Sequence, residues 1–191
     1  MKTLLYVICI TLGCATLFSA ATSAQSRDFL TDDEVELIRD AQQIDMRIDV
    51  LTHAIDRRFG VLKVPADAGQ YKEKDDWGKL PEGSRLQLLG DIKRILQKAI
   101  DDIDNLSSRP DSMVIEEPEK GKKPKGYAEL FPKAVRSLAA AAARYQPILK
   151  SELDKTTDGL EKGAILASLD MCDEITTAVT KLPAEVKKAK N

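Results

Sequence analysis

Residues 30–62 read LTDDEVELIRDAQQIDMRIDVLTHAIDRRFGVL, and the spacing within this stretch decides the fold class. Thr31 followed three positions later by Glu34 is the pattern of a capping box, in which hydroxyl and carboxylate each satisfy a backbone N–H that a helix start leaves open. Leu30 and Val35 are spaced for the accompanying hydrophobic staple, and Asp32 and Asp33 put negative charge where the helix dipole favours it. From there Leu37, Ala41, Ile44, Ile48, Leu51, Ile55, Phe59 and Leu62 recur in steps of three and four. That rhythm draws one apolar stripe along a helix running to about residue 60, with a break expected near residues 42–45.

The same pattern returns three times downstream. Ser84 with Gln87 resembles a second capping box, and Leu86, Leu89, Ile92, Leu96, Ala99, Ile103 and Leu106 continue as a stripe. A third helix is expected from Tyr127 through Phe131, Val135, Leu138, Ala142, Tyr145, Leu149 and Leu153, with Pro132 suited to its first turn and Pro147 expected to kink or end it near Ala143. A fourth carries Ile165, Leu169, Cys172, Ile175, Val179 and Leu182 up to Pro183. No segment alternates with the period of two that a strand needs. Four one-sided helices can bury their stripes only against each other, so the expected fold is all-α, a four-helix-type up-down bundle with two long inter-helix loops. Those loops are residues 63–83 and 107–126, both marked by Pro and Gly, and residues 183–191 form a Lys-rich tail.

Ahead of the bundle, Lys2, the 15 residues from Leu4 to Phe18 and the small residues from Ser19 to Ala24 have the layout of a cleavable signal peptide. Cleavage after Ala24 leaves residues 25–191 as a single exported domain, periplasmic or secreted. Gly13-Cys14 offers a lipoprotein junction as the minor alternative. The apolar stretch is shorter than the roughly 20 residues of a membrane-spanning helix, so no transmembrane segment is expected after processing. Cys9 and Cys14 depart with the signal, leaving Cys172 alone and excluding an internal disulfide. On its stripe, Cys172 reads as a small buried hydrophobe.

Chemistry is narrowed by what the chain lacks. It has 29 Lys or Arg against 31 Asp or Glu, a net charge of −2, which argues against a nucleic-acid partner held by bulk charge. His53 is its one histidine, which removes multi-His zinc sites, Glu-x-x-His di-iron units and c-type haem attachment, so no metal or cofactor is expected. His53 itself reads as a boundary residue hydrogen-bonded to Asp49 or Asp56. Asp101, Asp102 and Asp104 read as a solvated acidic face. Phosphate loops, nucleophile elbows and dinucleotide fingerprints are absent from the sequence.

The candidate contact residues therefore lie in the loops. Tyr71 and Trp77 are aromatics among charges in residues 63–83, suited either to fold back as a lid or to anchor a partner. Lys122, Lys123 and Lys125 could meet an anionic envelope surface. The expected function is a non-enzymatic interaction or structural role in the cell envelope, with an unknown envelope protein as partner. A small-ligand-binding or sensing bundle is the alternative, and a hydrolase using dispersed carboxylates a distant third.

Overall fold

In a computed structural model, residues 28–64, 77–113 and 124–182 are described. The expected signal peptide, the Lys-rich tail, residues 65–76 of the first long loop and residues 114–123 of the second lie outside them. The described chain is all-helical: α1 (Asp32–Asp40), α2 (Ile44–Val61), α3 (Arg85–Ser108), α4 (Tyr127–Lys155) and α5 (Gly159–Ala178), with short 3-10 turns at Pro110–Ser112 and Val179–Lys181. Five helices stand where four stripes were read because the first stripe breaks at residues 41–43. Both capping boxes form, Thr31 with Glu34 and Ser84 with Gln87, and Asp158 caps α5 through the N–H groups of Leu160 and Glu161. Val35, the expected staple residue, is exposed instead.

Of the two outcomes expected at Pro147, an end to the helix is overturned, since α4 continues through it to Lys155. Both Pro147 and Ala143, whose carbonyl loses its usual donor, face solvent. Water can satisfy that carbonyl, and the buried positions on either side, Tyr145, Ile148 and Leu149, hold the helix in place.

α2 packs beside α3 and α4, and α5 packs beside α3 and α4, so the core runs between two helical hairpins. Ile48, Leu51, Ile55 and Phe59 of α2 meet Leu89, Ile92, Ile95 and Leu96 of α3 and Leu138, Ala142, Tyr145 and Leu149 of α4 in one continuous apolar cluster. Between α2 and α4 three side-chain pairs share an offset of 88 residues: Lys133 donates to Asp45, Ser137 to Asp49 at 2.8 Å, and Arg144 to Asp56 at 3.2 and 3.3 Å. A constant offset means that the two helices run parallel. Within the same seam the Tyr145 hydroxyl donates to the Thr52 carbonyl at 2.9 Å, so a fully buried ring has its polar end satisfied.

At one end of the bundle Arg85 ties the start of α3 to the α4–α5 hairpin, donating to Glu152 at 2.7 Å and to Glu161 at 3.0 Å. Lys155 also donates to Glu152, at 2.8 Å, and these cations hold its buried carboxyl below the usual range although burial alone would raise it.

Cys172 is fully buried, and burial, reinforced by Asp173, pushes its thiol up to about 12. A thiol of that kind is unreactive. The native protein should therefore resist maleimide for hours and react only once denaturant unfolds it. Rapid labelling without denaturant, followed by mass spectrometry, would refute this placement.

Candidate functional site

The most heavily built polar site lies at the end of the bundle that also holds Arg85, where α1 crosses the last turns of α2. The capping box sets its starting point. Glu34 must turn back toward the N-terminus of α1 to accept the Thr31 N–H at 2.9 Å, and this aims its carboxylate at Arg57 and Arg58 of α2. Arg57 Nη1 and Arg58 Nη1 reach Oε1 at 2.7 and 2.6 Å, while Arg58 Nη2 reaches Oε2 at 2.7 Å. Each carboxylate oxygen thus has two donors, and Glu34 has no solvent exposure. Burial alone would raise its pKa. The Arg58 hydrogen bonds and charge, the Thr31 N–H and the charge of Arg57 outweigh that and hold the carboxyl below the usual range.

The arginines extend the site in two directions. Arg58 donates to the carbonyls of Ala54 and Phe29, both at 2.7 Å, and its Nε lies 3.9 Å from Asp91 of α3, an ionic contact beyond hydrogen-bond length. Arg57 donates to the carbonyls of Gly78 and Lys79, at 3.3 and 2.7 Å, and its guanidinium sits 5.5 Å over the Trp77 ring. Trp77 in turn meets His53 edge-on, with ring centroids 4.0 Å apart and planes at 73°. One α1 carboxylate therefore fastens α1, α2 and the returning end of the first loop together.

Gly78 shows how close that return is. Its φ of +58° is left-handed, and a Cβ there would lie 1.8 Å from Asp33 Oδ2. Gly78→Ala is expected to cost about 1–2 kcal/mol for the backbone conformation, before any cost of displacing Asp33. Urea unfolding checks this, and an unchanged midpoint would count against the described turn.

The sequence-predicted residues fall in different places. Trp77, suited to fold back as a lid or to anchor a partner, is only 4% exposed and sits in the core. Lys125 is exposed just before α4, whereas Tyr71, Lys122 and Lys123 lie outside the described residues. Neither Asp49 nor Asp56 has its described bond to His53: they face α4, and the His53 ring is buried against Trp77. Asp101 and Asp102 accept from Gln97 and Lys98 one turn earlier. Sequence reasoning saw Glu34 only as a capping residue and passed over Arg57, Arg58 and Asp91. A signal was there, since Arg58 lies seven positions after Leu51 and three after Ile55, on the apolar stripe itself.

Chemically the site holds rather than reacts. A carboxylate with four donors, kept ionised, offers no proton and no vacant lone pair at neutral pH. Among the described residues no group of three or more His, Cys, Asp or Glu is placed to hold a metal, and no helix is long and apolar enough to cross a membrane. Comparison with protein-family models, with curated proteins and with solved structures finds no match.

Proposed function

We propose that the chain is exported, with residues 1–24 removed as a signal peptide, and that as a four-helix-type up-down bundle it serves a non-enzymatic interaction or structural role in the cell envelope. The observation that carries this reading is the treatment of the first loop. Both of its described roots are fixed in the core, Val64 on one side and Trp77 on the other, and the second root is held by buried charge. Roots fixed to a rigid frame are the usual setting of a binding loop. Tyr71 is then the aromatic contact for the envelope partner, with Lys122, Lys123 and Lys125 as a second, electrostatic contact. Trp77 belongs to the grip.

In-cell crosslinking of the processed protein tests both halves of the proposal. Mass spectrometry should find a mature N-terminus at Gln25 and one reproducible envelope protein linked through residues 63–83 or 107–126. Tyr71→Ala should reduce that capture by about tenfold or more, as loss of an aromatic anchor does, while cooperative unfolding is retained. An intact N-terminus in the mature protein would refute export. Capture that is absent, or unaffected by Tyr71→Ala, would refute the loop as the contact.

A further inference from the structure

A cavity of about 230 Å³ opens at the other end of the bundle, where the break at residues 41–43 separates the start of α2 from the end of α3. Its apolar wall is Ile44, Leu106 and Met113, the first two buried. Its polar lining is Gln42, Asn105, Ser112, Asp102 and two arginines, Arg47 from α2 and Arg109 from just beyond α3. The described partners of both arginines are neutral. Arg47 Nε donates to the Ala41 carbonyl at 3.1 Å, and Arg109 Nη2 donates to the Asn105 amide oxygen at 3.3 Å. Asp102 also lines the cavity, but Lys98 from the preceding turn holds both of its oxygens, at 3.1 and 3.2 Å. The positive charge of two arginines is thus left facing a pocket whose own carboxylate is occupied.

We propose that this cavity binds a small organic carboxylate, its charged group between Arg47 and Arg109 and its apolar body against Ile44, Leu106 and Met113. Guanidinium is the side chain best matched to carboxylate, through paired N–H donors in a fixed fork. The apolar wall explains why an organic anion suits the site better than an inorganic one, which would gain nothing from Leu106 or Met113. The cavity is smaller than the roughly 300–1,000 Å³ of pockets for drug-sized ligands and suits a molecule the size of benzoate. The described roots of the first loop, Val64 and Trp77, lie at the opposite end of the bundle, whereas Arg109 and Met113 of the cavity belong to the second loop.

The test is an NMR titration of the protein with benzoate to about 10 mM, reading backbone amides and the arginine Nε–H signals, with benzamide and inorganic phosphate as parallel arms. Benzoate should give a saturable shift centred on Arg47 and Arg109, and benzamide and phosphate should each bind at least about tenfold more weakly. Arg47→Gln and Arg109→Gln, both at partly or fully exposed positions, should each weaken benzoate by about tenfold or more with the urea midpoint unchanged. No saturable shift, equal binding of benzamide, or phosphate binding as tightly as benzoate would each overturn the proposal.

Discussion

Replacing Glu34 with alanine should destabilise the protein by about 3–5 kcal/mol, the usual consequence of removing one partner from a buried ion pair. The loss is large because it is not a matter of one contact. Arg57 and Arg58 are nearly inaccessible to solvent, so without the carboxylate their charges remain in the interior beside backbone carbonyls, Asp91 and the Trp77 ring. For a domain whose total stability is typically about 5–15 kcal/mol, that is a substantial share of the margin. Trp77 supplies a second reading, because its fluorescence should shift to the red as Arg57 ceases to hold the loop return. Glu34→Leu combined with Arg57→Leu and Arg58→Met should recover much of the loss, since an apolar cluster of similar volume carries no desolvation cost. Equilibrium urea unfolding measures all of these, and a Glu34→Ala midpoint equal to that of the wild type would show that the network contributes nothing.

Acid should weaken the fold well before most carboxylates titrate. Burial, helped by the charge of Arg57 and opposed by that of Glu34, lowers the His53 pKa to about 4 from an ordinary value of 6.5. The unfolded chain therefore takes up this proton first as pH falls. Stability is full above about pH 6.5 and declines toward pH 4, by about 3 kcal/mol in all. Glu34 acts in the same direction at lower pH, where its carboxylate must be protonated against Arg58. Asp56 acts in the opposite direction, because burial raises its pKa despite Arg144, so acidification relieves a buried charge there. His53→Phe isolates the imidazole. In stability curves measured from pH 7 to pH 4, the variant should lose most of the slope between 6.5 and 4, and an unchanged slope would assign the acid sensitivity elsewhere.

Helix positions were legible in the sequence because they rest on local chemistry. The Thr31–Glu34 and Ser84–Gln87 boxes and the stripes from Ile44 to Phe59 and from Leu89 to Leu106 are set by spacing alone. What spacing does not carry is which polar residues meet across distant segments. Glu34 and Arg58 are 24 positions apart, and although Arg58 falls on the apolar stripe, nothing in its spacing names Glu34 as the partner. The same holds for Trp77, whose charged neighbours in sequence left lid and anchor both open, while its neighbours in space are His53 and Arg57. Pro147 does not end α4 for a related reason, since its cost depends on whether Ala143 faces water, a property of packing. The Arg47–Arg109 cavity also needed the fold, because its two arginines come from helices joined only through the first loop.

The fixed offset between α2 and α4 bears on how the chain folds. Each hairpin is made of elements adjacent in sequence, whereas the described polar contacts of the α2–α4 seam join residues 88 or 93 positions apart. Closing so wide a span costs chain entropy that local contacts do not, so the hairpins should form early and dock late. Substitutions along the seam, such as Ser137→Ala, would then speed unfolding and leave the refolding rate almost unchanged. The seam is in that sense the clasp of the molecule, the last part to close and the part that governs how long it stays closed.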